Sequence, residues 1–293
     1  MFLVRYALRG GVGIRLALLR IEQRAGSFRQ TQTGRNCRSS AFRKLTSRAG
    51  VGAAGSGRRR ILAAVSSRCW KLSPSDFAFL WEECPRCFYL KVVRGFPRPR
   101  PAMPKVFTQI DEQMKACCEG RRTETLAPDM PAGVFEFGEH SVESQPVDVY
   151  LPDAVHRCLI RGRFDTVVRL DDGGYAVVDF KTSERRAEHV PLYARQLHAY
   201  AYALEHPAPG AFALGPVTRL GLLVFEPEKF TREAGGQGTL TGGLSWIEIP
   251  RDDGMLFGFL AEVLSVLERP EPPGGAPLCD WCVYRDASRR TGL

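Results

Sequence analysis

The sequence predicts a mixed α/β domain whose central sheet is flanked by helices, and three observations carry that expectation. Apolar runs on both sides of Asp171-Asp172-Gly173-Gly174 read as a β-hairpin. Helical periodicity follows at 193–204, where Leu197, Tyr200, Ala201 and Leu204 form one stripe, and recurs at 255–267. Short apolar runs bounded by Gly and Pro are interleaved with these helices.

The first 68 residues hold fifteen Arg and Lys against one acid, Glu22, whereas the remaining 225 hold 26 basic and 31 acidic residues. The net charge of +9 therefore belongs to the leader, and the rest is mildly acidic. Whole-chain basicity is weak support for nucleic-acid binding. We read 1–68 as a basic, disordered leader outside the fold and 69–293 as one domain. The leader's Arg-rich, acid-poor composition fits sequence upstream of a misassigned start, a basic arm on nucleic acid, or a transit peptide. No run reaches the ~18–20 apolar residues of a membrane span, so no membrane partner is expected. Without a convincing secretory signal, a cytoplasmic setting is expected.

Within the domain, Ser73-Pro74 opens a helix over 73–92, with serine as N-cap and proline at the first turn. A Pro-rich link at 96–101 leads to a helix near 105–118. Strands are expected near 134–138 and 146–150, then the hairpin at 157–183 and the helix that carries Gln196. Strands at 217–225 and 244–249 extend the sheet, with Gly-rich 234–243 as a turn or mobile tip. A helix at 255–267 precedes extended chain at 270–277.

The hairpin carries the chemistry. Side chains alternate faces along a strand, so Asp179 and Lys181 project together and Phe180 points into the core. Asp165 joins their face only if the hairpin loop holds an odd number of residues, because a one-residue slip reverses the face. Gly173 and Gly174 suit a three-residue loop with a bulge. Two carboxylates on neighbouring strands suit a hard cation such as Mg²⁺, and a neighbouring lysine can orient water or offset charge on a phosphate.

On the next helix, Gln196 and Tyr200 are i,i+4 neighbours on one face. The order Gly162-Arg163-Phe164-Asp165, then Val177-Val178-Asp179-Phe180-Lys181-Thr182-Ser183, then Gln196 and Tyr200 resembles the PD-(D/E)XK nuclease superfamily. Its RecB-like branch, with the CRISPR-associated adaptation nucleases and AddB-type nuclease domains, is the nearest likeness. The resemblance implies a restriction-endonuclease-like fold and Mg²⁺ or Mn²⁺ held by Asp165 and Asp179, with the Phe180 carbonyl as a further ligand. It also implies that Lys181 assists the nucleophilic water and that Gln196 and Tyr200 contact substrate and support the site. The family places an acid or histidine on an earlier helix. Asp111 stands at that position and is expected to hold the metal with Asp165 and Asp179, with Glu112 as the fallback, and the Gly-x-x-x-His pattern of many relatives is absent.

Cys84-Pro85-Arg86-Cys87 and Cys279-Asp280-Trp281-Cys282 have the short spacing of thiolate sites for zinc or an iron–sulfur cluster. Drawn together, they would staple the two ends of the domain. The resemblance implies a [4Fe–4S] cluster, with structural Zn²⁺ as the alternative for a two-plus-two arrangement. Cys117, Cys118 and Cys158 lack ligand spacing and are expected to pack in the core.

Arg185 and Arg186, with Arg94, Arg98 and Arg100, are candidates to line a nucleic-acid path. Trp81, Trp246 and Trp281 are expected as packing residues. The functional expectation is a metal-dependent nuclease acting on DNA, with single strands or ends favoured, in repair, recombination or defence, as a stand-alone or accessory subunit with a helicase or a repair or defence complex as the candidate partner. The alternative is an inactive nuclease-fold subunit that binds or scaffolds. A phosphohydrolase of small substrates lacks the Gly-rich phosphate loop it would need.

Overall fold

The computed structural model describes residues 64–99, 102–183, 190–232 and 234–291, with two short paired strands upstream, β1 (Tyr6–Ala7) and β2 (Gly13–Ile14). The other residues of the expected leader lie outside the described residues, apart from 64–68, which begin strand β3 (Ala64–Leu72). The expected helix over 73–92 is three short ones, α1 (Pro74–Ala78), α2 (Leu80–Glu83) and α3 (Pro85–Arg94). Proline drives its preceding residue out of the helical region, and Cys84 is extended at φ −167°, ψ 102°. Pro85 then restarts the helix at its first position, where a missing N–H costs nothing.

Helix α4 (Lys105–Cys118) buries Ile110, Met114, Cys117 and Cys118 along one stripe. Then come β4 (Gly133–Phe137), an unexpected β5 (His140–Glu143), β6 (Val147–Tyr150) and β7 (Ala154–Phe164). Strands β8 (Thr166–Leu170) and β9 (Tyr175–Thr182) form the hairpin and helix α5 (Val190–Glu205) follows. Strands β10 (Val217–Arg232) and β11 (Gly238–Ile249), then α6 (Asp253–Leu267) and α7 (Asp280–Arg290), complete the unit. Residues 238–243, expected as a turn or tip, are strand. A register shift between Pro227 and Lys229 absorbs the proline that cannot donate to the ladder. Helix α7 was not expected, because it buries only Cys282 and has no apolar stripe to read.

Five strands form one mixed sheet in the order β11-β10-β9-β8-β4, with β9 and β10 parallel. A second sheet has the order β3-β7-β5, with β6 also on β7. One face of the five-stranded sheet presents Val177, Leu220 and Leu222 to a core shared with α5 and α6. The other presents Val178, Phe180 and Leu223 to a core that includes Met114 of α4. Trp81 packs edge-on against Phe88 and Phe259. Trp81, Trp246, Cys117, Cys118 and Cys158 are all buried, as packing residues would be.

The hairpin loop is Asp171-Asp172-Gly173, closed by Leu170 N–H on the Gly174 carbonyl at 2.9 Å. Gly173 stands at φ +89°, a conformation that residues with a Cβ rarely adopt. The expected odd loop is thus present. Its register, Thr166 opposite Val178, carries the next pair back to Asp165 opposite Asp179.

Candidate active site

Asp165 is the single residue between β7 and β8, where the chain passes from one sheet to the other. Its Oδ2 accepts the Phe180 backbone N–H at 3.0 Å. Asp179 lies on the central strand and is buried; its Oδ1 accepts Gln196 Nε2 at 3.0 Å. Its Oδ2 pairs with the Lys181 ammonium and receives no well-formed hydrogen bond. Lys181 Nζ also lies 4.7 Å from the centre of the Tyr193 ring. Burial, reinforced by the charge of Asp165, pushes the Asp179 carboxyl up to about 6 against the pull of Lys181. Burial opposes the Lys181 charge, but Asp179 raises its pKa overall. Tyr200 OH donates to the Arg163 carbonyl at 2.7 Å, bracing α5 against the end of β7.

Helix α4 brings Asp111 to the same place through an intermediary. Lys115 Nζ lies 2.7 Å from Asp111 Oδ2, 2.6 Å from Glu139 Oε1 and 3.0 Å from Asp165 Oδ1. Burial raises the Asp111 pKa despite that ion pair. Glu112 is exposed on the rim of a cleft of about 370 Å³ that Lys115, Glu139, Asp165 and Phe180 also line. Sequence reasoning missed Lys115 and Glu139. The i,i+4 spacing from Asp111 could have flagged Lys115, whereas Glu139 sits between β4 and β5 with no motif around it.

Arg185, Arg186 and Arg100 lie outside the described residues. Arg98 is turned inward onto Glu83 and Cys279, so it offers no open path lining. Arg94 reaches the Pro270 carbonyl at 3.4 Å.

Asp165 and Asp179 are carboxylates of the kind a hard divalent ion takes, and the Asp179 oxygen not held by Gln196 is buried against the Lys181 ammonium.

Elsewhere in the fold, Cys84 and Cys87 flank the start of α3 and Cys279 and Cys282 flank the start of α7. All four are buried and their sulfurs lie within 4.8 Å of one another. Sγ–Sγ distances are 3.6 Å for Cys84–Cys282 and Cys87–Cys282 and 3.7 Å for Cys87–Cys279. Arg98 Nη2 lies 3.1 Å from Cys279 Sγ, and Arg285 Nη2 3.6 Å from Cys282 Sγ. Burial alone would raise the Cys84 thiol, but the Ala276 and Cys87 N–H groups and its thiol neighbours bring it down to about 7. Burial pushes the Cys87 and Cys282 thiols up instead; the thiolate is the form that binds metal.

Two aspartates and a lysine thus meet on and beside the central strand of a mixed α/β sheet. The chain belongs to the PD-(D/E)XK nuclease superfamily, whose family model matches residues 112–287. Members are generally nucleases and typically use Mg²⁺ or Mn²⁺. A solved structure titled "Crystal structure of SSO0001" aligns over 74% of this chain and 84% of its own at 15% identity, with a TM-score of 0.39. No curated protein matches the chain significantly.

Proposed function

We propose that the chain is a metal-dependent deoxyribonuclease of the RecB-like branch, acting on single strands or ends in repair, recombination or defence. The observation that carries this reading is the convergence of Asp165, Asp179, Lys181 and Gln196 across three separate elements. The RecB-like assignment rests on the motif order and on the paired cysteines at both ends. When bound, a Mg²⁺ or Mn²⁺ ion would lower the pKa of the attacking water and offset charge on the phosphate. Asp165 and Asp179 would hold it. Gln196 fixes the Asp179 carboxylate so that its other oxygen faces the Lys181 ammonium. Lys181 would orient the water and stabilise charge building on the phosphoryl oxygens. Asp165, tied to the Phe180 N–H, keeps the two carboxylates in register.

We assign the four cysteines to one Zn²⁺. Zn–S bonds of about 2.3 Å give a tetrahedron with edges of about 3.8 Å, close to three of the Sγ–Sγ distances, 3.6–3.7 Å, with all four sulfurs within 4.8 Å of one another. A [4Fe–4S] cube interposes eight atoms and needs its thiolates further apart. A colourless protein with one equivalent of zinc is expected; a brown protein that bleaches on reduction would favour the cluster.

The test of function is cleavage of labelled single- and double-stranded DNA with Mg²⁺ or Mn²⁺. Lys181→Ala should lose about 10²–10³-fold in rate. No cleavage by the wild type would leave the inactive scaffold reading standing, and equal cleavage by Lys181→Ala would remove the proposed role of the lysine.

A further inference from the structure

We infer that the Lys115 ammonium is a built-in cation occupying one of the cation positions among the acidic residues, so that the site takes a single divalent ion. This rests on the metal-dependent nuclease reading. Lys115 lies one helical turn after Asp111, and i,i+4 spacing puts both on the same face of α4. Its Nζ meets Asp111, Glu139 and Asp165 at 2.7, 2.6 and 3.0 Å. Asp111 and Glu139 accept its hydrogen bonds and Asp165 adds an ion pair, so three carboxylates surround one ammonium. An exposed lysine would be free to swing aside. This one is only 19% exposed, held from helix, turn and strand junction at once.

Asp165 has one oxygen on each side of the question. Oδ1 faces Lys115 and Oδ2 faces the Phe180 N–H beside Asp179. In two-metal nucleases the ions sit about 3.5–4 Å apart and share a carboxylate. Here Asp165 Oδ1 already faces an ammonium. A second dication would have to displace Lys115 from all three partners, which a bare carboxylate pocket would not require. Asp111 then acts as the counter-ion that positions Lys115 rather than as a metal ligand.

The experiment is Mn²⁺ titration of the purified protein, followed by calorimetry and by the paramagnetic resonance signal of free Mn²⁺. Carboxylate sites take Mn²⁺, whereas thiolate sites favour softer ions, so the cysteines do not confuse the count. Wild type should bind one equivalent; Lys115→Met and Lys115→Gln, each shown folded by circular dichroism, should bind two. Two equivalents in wild type that cleaves DNA would overturn this inference and leave the nuclease reading intact. One equivalent in both folded variants would overturn it equally. No binding and no cleavage would overturn both.

Discussion

Gln196 Nε2 donates to Asp179 Oδ1 at 3.0 Å, and this bond fastens helix α5 to the central strand of the five-stranded sheet. Both groups are buried, so water cannot replace either partner. Gln196→Ala should therefore leave Asp179 freer to rotate. Loss of such an outer partner lowers metal affinity or activity by about 10–100-fold. Mn²⁺ titration and DNA cleavage of the folded variant measure it, and unchanged values would show that Asp179 holds its own orientation.

Gly162 opens the run that ends in Asp165, and the reason is closeness. A Cβ there would stand 2.9 Å from Pro74 Cδ and 3.0 Å from the Tyr200 ring. Gly162→Ala must push α1 or Tyr200 away from β7. The expected cost is about 1–3 kcal/mol, as for other overpacked sites, read by urea unfolding. A variant as stable as wild type would mean that Tyr200 yields without strain.

The hairpin was legible because a period of two and a Gly-bearing loop together leave few registers. The face shared by Asp179 and Lys181, the buried Phe180 and the three-residue loop all followed from that counting. The break at Asp165 was not legible, since Phe164 and Thr166 read as one continuous strand. Glu139 reaches the cleft only because the β4–β5 connection folds beside α4, a tertiary fact that leaves no local pattern. Likewise, the three-helix break before Cys87 was signalled by Pro85, yet the apolar stripe ran across it. Helix α7 docks through a cysteine rather than an apolar face, so periodicity could not find it.

Removing one thiol should unfasten the two ends of the domain. Cys279→Ser is expected to cost about 3 kcal/mol, comparable to losing a long-loop cross-link, and to lower Tm by roughly 6–12 °C. Differential scanning calorimetry of metal-loaded proteins checks it. A melting point within a degree of wild type would show that the thiols do not hold the fold together.

His198 provides a pH dependence away from the cleft. Its Nδ1 donates to the Ala194 carbonyl at 2.7 Å and its Nε2 accepts the Asp252 N–H at 2.7 Å, at the start of α6. Burial lowers its pKa below the ordinary 6.5; Arg251 adds to this, while the Ala194 carbonyl, Asp252 and Asp253 oppose it. The unfolded chain then takes up the proton first, so this stabilisation is complete above that ordinary value and is lost as pH falls below it. The contribution changes by at most about 1.4 kcal/mol per pH unit. Chemical unfolding at pH 7 and pH 5 should show a smaller difference for His198→Gln than for wild type; identical differences would assign the slope elsewhere.

Cys87 and Cys279 stand 192 residues apart, with β4 to α6 between them. During synthesis, the first pair must wait unmatched while every strand of the five-stranded sheet emerges from the ribosome. At about 5–20 residues per second, that interval is roughly 10–40 s. The sheet and its carboxylates can assemble in that time, but the fastening cannot. Closure of the thiol cluster is thus a late event that reports completion of the domain, and a chain interrupted before α7 would carry the acidic cleft on an unsecured frame.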